Sequence, residues 1–390
     1  MNTREIGNFC RDHNTTFCPV RYINSYQPEI FLEDLRGNLL ITGGFAEKRR
    51  ELLVRAVVSE RQKSTRPVII LSESSQLEKQ LIEKAKQGQI GKMVVCSRTY
   101  KDYAFFQNMG NNEIVNFFSE VADIKGYRDA GSLCDFLEAF LNILRRRSDV
   151  NLATMLEFAK NSDTLIANAA EKDSTDYESI MASAQGGKNF RTLLSNVAKS
   201  FFSITTRTCN SGMNILSELS DDCVFFINIS EIPAYEFLSV YFLQELKSAT
   251  NREFSIIFDD TLLLNNIKLS EHIHALKQKE NIRVIISDPN ILSFPYERAA
   301  ENFKKQIYLL NGSMPPTDMQ KLLSSHGNYD HFEEVGSISE PPNLIFSLEK
   351  SRSSSVTVFS RPKLLFEELT GYSAILSGNN GPELLAVKKI

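Results

Sequence analysis

Two short stretches carry residues whose types and spacing could do chemistry. The first is Gly43-Gly44, followed by Lys48-Arg49-Arg50. Adjacent glycines let a backbone turn freely, and cations at a helix start would attract an anion. A phosphate-binding loop of the pattern G-x-x-x-x-G-K-[ST] uses such parts: a backbone cradle, a lysine for the outer phosphates and a hydroxyl for Mg²⁺. Aligned on Gly43, the chain has Lys48 at the second glycine, Arg49 at the lysine and Arg50 at the hydroxyl residue. Arginine has no acceptor and cannot ligate Mg²⁺. Taken alone, these residues offer either a metal-free anion site or a loop that has lost its ligand. The second stretch is Asp259-Asp260, directly after the apolar run Ile256-Ile257-Phe258. In that position one carboxylate can hold Mg²⁺ and the next can activate water. Acids after strands are also ordinary loop residues, so context decides.

Other reactive residues are less well arranged. Cys10, His13 and Cys18 supply three ligands where a structural zinc site needs four. His272 and His274 lie two apart on an expected helix and face different directions. No nucleophile elbow, H-E-x-x-H or C-x-x-C occurs, so hydrolase and zinc readings have no motif behind them.

The elements that would position these residues follow from composition and pattern. The 390 residues correspond to two or three domains of ordinary size. With 42% hydrophobic and 24% charged residues, a wholly disordered chain is excluded. A net charge of −4 argues against a protein that wraps nucleic acid through overall positive charge, although a local basic patch would not show in that sum. Six scattered cysteines fit a reducing cytoplasm. The N-terminus has no apolar signal core and no run reaches the ~20 apolar residues of a membrane span, so a membrane role is expected only through a partner. Glycine is scarce: 18 of 390 is about 4.6%, against a usual ~7%.

Apolar runs at 38–42, 67–71 and 93–96 read as buried strands, with helices expected over 47–62 and 75–86 between them. Ser75 with Glu78 suggests a capping box. Strand alternating with helix is the signature of a parallel α/β sheet. From 111 to 205 only helical patterns appear. One starts at Ser132 as a cap, and the polar stretch 170–190 with Gly186-Gly187 reads as a loop. The α/β rhythm resumes with strands at 223–229, 254–258, 283–287 and 306–310. Helices are expected from Pro233 onward, over 270–278 and near 296–305. Residues 311–355 read as loop, and short strands are expected at 356–359, 373–377 and 384–387.

Taken in order, these features resemble the motor domain of TraG-type type IV coupling proteins, the hexameric ATPases of conjugation and type IV secretion in the HerA–FtsK superfamily. Asn38-Leu39-Leu40-Ile41-Thr42-Gly43-Gly44 resembles the family's first strand and the start of its Walker A loop. The helical stretch resembles its all-alpha domain. Val224-Phe225-Phe226-Ile227-Asn228-Ile229 and Ile256-Ile257-Phe258-Asp259-Asp260 resemble its middle strand and Walker B. Arg283-Val284-Ile285-Ile286-Ser287 resembles the next strand, and Arg361-Pro362-Lys363-Leu364-Leu365 resembles the closing segment. The resemblance covers roughly 37–390, by element order.

It implies an α/β fold: a RecA-like P-loop NTPase sheet with an inserted all-helical domain. The expected division is an N-terminal segment at 1–36, the first part of the RecA-like domain at 37–100, the insertion at 101–212 and the second part at 213–390. The implied nucleotide or anion site is Gly43, Gly44, Lys48, Arg49 and Arg50. Asp259 would hold Mg²⁺, and Asp259 and Asp260 would be catalytic in an active enzyme. The departures fall on those same parts: Lys48, Arg49 and Arg50 in the loop, Asp260 for the usual glutamate, and Asp288-Pro289-Asn290 where a sensor glutamine is expected. They favour a pseudo-ATPase that recruits partners or substrates, with ATP and Mg²⁺ as cofactors only if the site functions. Two alternatives stay open: an active ATP-dependent DNA translocase, and a protein-binding module that uses the helical insertion. Implied partners are proteins of a transfer or secretion complex and DNA, in a homo- or hetero-oligomer. The implied location is cytoplasmic, with recruitment to the membrane by partners.

Overall fold

The computed structural model describes residues 37–127, 130–170, 174–206, 212–219, 222–289, 303, 305–309, 328–339, 351–362, 374–378 and 381–385. Its centre is a sheet whose inner strands are buried along their whole length and largely apolar, as expected of strands covered on both faces. In chain order the sheet's first seven strands are β1 (Leu39–Gly43), β2 (Val68–Ser72), β3 (Lys92–Cys96), β4 (Cys223–Asn228), β5 (Phe254–Asp259), β6 (Ile282–Asp288) and β7 (Lys305–Leu309). Two edge strands follow, β10 (Ala374–Gly378) and β11 (Gly381–Leu385), and the spatial order is β11-β10-β7-β1-β6-β5-β2-β4-β3. The seven strands from β7 to β3 are parallel, while β10 and β11 run antiparallel to their neighbours. The fold is the parallel α/β sheet that the strand–helix alternation anticipates.

Alternate residues of each strand serve two cores. Leu39, Ile41, Val68, Ile70, Val224, Phe226, Ile257 and Ile285 face one side. There they pack against α1 (Ala46–Lys63) and α2 (Ser75–Lys86), through Leu53, Val57, Leu77 and Leu81. Leu40, Ile69, Leu71, Phe225, Ile227, Ile256, Phe258, Val284 and Ile286 face the other side. That side is covered by the helices between β3 and β4: α3 (Asn111–Ile124), α4 (Ala130–Arg145), α5 (Leu152–Phe158), α6 (Asp163–Ala167), α7 (Thr175–Ala182), α8 (Ala184–Phe201) and α9 (Ile215–Glu218). It is joined by α10 (Tyr235–Ser248) and α11 (Ile267–Leu276). The inserted helices therefore share one continuous core with the sheet. Short bridges, Asp102 to Thr205 and Tyr103 to Met213, tie together the two ends of the insertion.

An aromatic cluster joins the two layers. Phe105 stacks on Phe201 with centroids 3.7 Å apart, and Tyr241 meets Phe105, Phe106, Phe117 and Phe201 edge-on. The Phe106 N–H donates to Tyr241 Oη at 3.0 Å, and Tyr103 Oη donates to Glu245 Oε2 at 2.6 Å. Burying each such ring is worth roughly 1.5–3 kcal/mol, so this cluster is a main source of adhesion between insertion and sheet.

Several local expectations need correction. The stretch 170–190 is not a loop among its described residues, because α7 and α8 occupy most of it and Gly186 and Gly187 lie inside α8. A Cβ on Gly186 would stand 2.1 Å from the Ser132 carbonyl oxygen, and one on Gly187 would stand 2.6 Å from the Phe136 ring. These glycines allow two helices to touch; they do not break one. Ser132 is the third residue of α4, not its cap. The cap of α2 is Ser74, whose Oγ accepts from the Leu77 N–H at 3.1 Å, so Ser75 is the first helical residue. Pro233 precedes α10, which starts at Tyr235 after a left-handed Ala234. Within 311–355, read as loop, β8 (Asn328–Ser339) pairs antiparallel with β9 (Ser351–Pro362). A two-stranded ribbon satisfies its backbone without needing the apolar run by which buried strands are recognised. The expected helix near 296–305 and the Cys10, His13, Cys18 group lie outside the described residues, apart from 303 and 305 of that helix. Among the described residues no helix is long and apolar enough to cross a membrane.

Candidate functional site

The sheet order determines what meets at its carboxyl edge. From β1 the chain runs to one side for β2 through β6 and crosses to the other for β7. The end of β1 is thus a point where the strand order reverses, the place where open parallel sheets bind ligands. One strand, β6, separates β1 from β5, with Thr42 beside Asp288 and Ser287 beside Asp259. Gly43-Gly44 and Asp259-Asp260, 215 residues apart at their nearest in sequence, end on the same edge.

The turn after β1 is tight. Gly43 (φ 73°) and Gly44 (φ 61°) are both left-handed, which explains why both are glycine. α1 begins at Ala46, so only Gly44 and Phe45 connect strand to helix. A G-x-x-x-x-G-K loop would need more chain before its helix. Lys48, Arg49 and Arg50 lie in the first turns of α1: the Lys48 and Arg49 N–H groups both donate to the Phe45 carbonyl.

The three cations go separate ways. Lys48 is exposed and pairs with Glu51 at 3.2 Å. Arg50 donates to Gln76 Oε1 at 2.5 Å. Arg49 turns inward and is only 2% exposed. Its Nη1 donates to the carbonyls of both Gly43 and Gly44 at 2.9 Å, and its Nη2 donates to Asp260 Oδ1 at 2.8 Å. A cation at a helix N-terminus opposes the helix dipole, and here two carbonyls and one carboxylate offset that cost. Asp260 is itself left-handed (φ 43°), which is uncommon without glycine, and its N–H is held by the Ser287 carbonyl at 2.9 Å.

Asp259 lies behind this pair and is fully buried. Burial pushes its carboxyl up to about 6, and the neighbouring Asp260 charge adds to the shift. Ser72 Oγ, donating to Oδ2 at 2.8 Å, Ser287 and the Arg50 charge pull the other way. Oδ1 has no partner of good hydrogen-bond geometry among the described residues. Glu73 stands on the same edge, accepting from the Leu262 N–H at 2.7 Å; its carboxyl is raised chiefly by burial and also by Asp260.

The structure therefore brings Gly43, Gly44, Arg49 and Asp260 into direct contact, sets Asp259 behind them and leaves Lys48 on the surface. Ser72, Glu73 and Ser287 belong to the same edge but were not singled out from sequence. The available signal was a polar residue closing an apolar strand, as Ser72 closes Val68-Ile69-Ile70-Leu71 just as Asp259 closes β5. As arranged, these residues do not fit Mg-nucleotide. The loop is short, the Arg49 donors at the lysine position are engaged by the Gly43 and Gly44 carbonyls and Asp260, and the hydroxyl position is an arginine bound to Gln76. Among the described residues no cluster of three or more His, Cys, Asp or Glu suits a metal.

No protein-family model matches the chain, and no curated protein matches it in sequence. Solved structures do share its fold, which is that of the conjugative coupling protein TrwB. The bacterial conjugative coupling protein TrwB, in its ΔN70 form with sulphate, aligns with a TM-score of 0.56 at 13% identity, covering 98% of this chain and 93% of that one. The plasmid coupling protein TrwB with ADP and Mg²⁺ gives 0.56 at 13%, covering 98% and 91%. TrwB with the ATP analogue ADPNP gives 0.56 at 14%, covering 98% and 93%. At such identity the likeness is one of fold.

Proposed function

We propose that this protein is a catalytically silent, coupling-protein-like subunit that recruits a partner or substrate to a conjugative transfer or type IV secretion assembly. One observation carries the reading: buried Arg49 ties the Gly43 and Gly44 carbonyls to Asp260. For Arg49 to bind a phosphate it would have to leave its buried ion pair and the two carbonyls. Breaking such a pair costs about 3–5 kcal/mol when it is fully buried, and less here because Asp260 is 23% exposed. The fold likeness to TrwB supports the setting. Residues 37–100 and 213–390 then form the motor-like domain, and 101–212 form the insertion that contacts partners. Those partners are proteins of the transfer complex and DNA, within a homo- or hetero-oligomer on the cytoplasmic side of the membrane.

The test is calorimetric titration of the pure protein with ATP-Mg, together with a hydrolysis assay. No heat of binding and no turnover is the expected result. Mg-dependent turnover that disappears in Asp259→Ala would overturn the reading. A second reading, an active ATP-dependent DNA translocase, is favoured by the unpartnered Oδ1 of buried Asp259, a carboxylate oxygen left without a hydrogen bond among the described residues. That same turnover, stimulated by DNA, would favour it.

A further inference from the structure

The insertion carries a groove on its outer side, between α5 and α8. It encloses about 630 Å³. Half-buried Leu156 on one wall and Phe202 on the other form an apolar floor, with Leu194 and Ala198 buried beneath it. On α8 the lining recurs at Arg191, Leu194, Ser195, Ala198, Lys199 and Phe202, a stripe of three turns at helical spacing. At 1.5 Å per residue this stripe is about 17 Å long, the length of an eleven-residue helix.

Charge gives the groove a direction. α8 carries Lys188, Arg191 and Lys199 and no acidic residue. Arg191 is structural: it donates to the carbonyls of Ala159 (2.9 Å) and Asn161 (3.1 Å) and pairs with Asp163, joining the two walls. Lys160 and Lys199, one on each lip, are exposed and form no ion pair among the described residues. Glu157 is the single acid in the lining. An apolar floor between two exposed ammonium groups complements a helix with an apolar stripe flanked by carboxylates.

We propose that this groove receives an acidic amphipathic helix of about three turns from a partner protein. The assignment holds whether or not nucleotide binds at the sheet edge, so the two can fail separately. Recognition would combine burial of the partner's apolar side chains on Leu156 and Phe202 with salt-sensitive pairing to Lys160 and Lys199.

The test uses the full-length chain and two fluorescein-labelled fourteen-residue helical peptides. Both carry leucine on one face; one has glutamate on its flanks and the other lysine. Fluorescence polarisation should show saturable binding of the glutamate peptide, weakened by salt, and none of the lysine peptide. Lys160→Glu with Lys199→Glu should weaken binding at least tenfold; both are surface changes and leave the helices intact by circular dichroism. Ser195→Trp, which fills the groove from an exposed position, should abolish it. Failure of the glutamate peptide to bind, equal binding by both peptides, or unchanged binding to the double variant would overturn the proposal. So would binding only to vesicles of anionic phospholipid, which would point to a membrane surface instead.

Discussion

Glu245 offers a direct test of the core that joins the helical insertion to the sheet. It is fully buried among Tyr103, Tyr241 and the surrounding phenylalanines. Burial pushes its carboxyl from 4.5 up to about 8, against the pull of the Tyr103 hydroxyl and the backbone at Leu216 and Ile215. The folded protein thus holds a proton on Glu245 at neutral pH that the unfolded chain has released. A group raised on folding contributes stability that is complete below its unfolded value and is lost as pH rises through its folded value. The window is therefore pH 4.5 to about 8. At 1.36 kcal/mol per unit, the difference of roughly 3.5 units corresponds to about 5 kcal/mol across the window, of which about 3 kcal/mol is already lost at pH 7. Glu245→Gln keeps an oxygen to accept from Tyr103 Oη and cannot titrate. Relative to wild type it should be near neutral at pH 4.5, more stable by about 3 kcal/mol at pH 7, and by about 5 kcal/mol above pH 8. Urea unfolding of both proteins at these pH values measures the difference, and groups common to both cancel. A difference that stays flat from pH 4.5 to 8.5 would refute the reasoning, because Glu245 would then ionise in place at little cost.

Four further outcomes are expected. Tyr103→Phe removes the donor to Glu245 Oε2 and should cost about 1–3 kcal/mol in the same unfolding assay, with its pH window moved upward. Gly186→Ala puts a methyl group where the Ser132 carbonyl stands and should destabilise by about 1–3 kcal/mol or more by thermal melting; an unchanged midpoint would mean that α4 and α8 are not in close contact. Asp260→Asn should cost about 1–2 kcal/mol in urea unfolding, less than Arg49→Ala, because the asparagine leaves Arg49 its two carbonyl partners while the alanine leaves Asp260 and both carbonyls without theirs. Asp259→Asn should raise stability above pH 6, where the buried carboxylate would otherwise have to ionise, and should leave stability little changed near pH 4; a variant less stable than wild type at pH 8 with Mg²⁺ present would instead point to a bound metal.

The sequence was legible where physics leaves one option. Runs such as Val68-Ile69-Ile70-Leu71 and Cys223-Val224-Phe225-Phe226-Ile227 suit strands covered on both faces, and each lies in the parallel sheet within a residue or two of its expected bounds. It was less legible where a residue's role depends on a distant neighbour. Gly186 and Gly187 look like a break in the chain until Ser132 and Phe136 are seen pressed against them. The β8–β9 ribbon lacks the continuous apolar run by which the strands of the parallel sheet are recognised. The same holds at the sheet edge. The triplet Lys48-Arg49-Arg50 reads as one cluster of charge, yet only Arg49 points inward, and only the strand order that sets β6 between β1 and β5 brings Asp260 within its reach. Glycine scarcity fits this picture. The chain keeps the two glycines that the tight turn after β1 requires and has Lys48 where a phosphate loop would need a third. In this two-residue turn the Arg49 side chain folds back onto the turn's own carbonyls. An arginine at that position, with its planar fork of donors, can satisfy two carbonyls and a carboxylate together, which a lysine's single ammonium could not do in the same geometry.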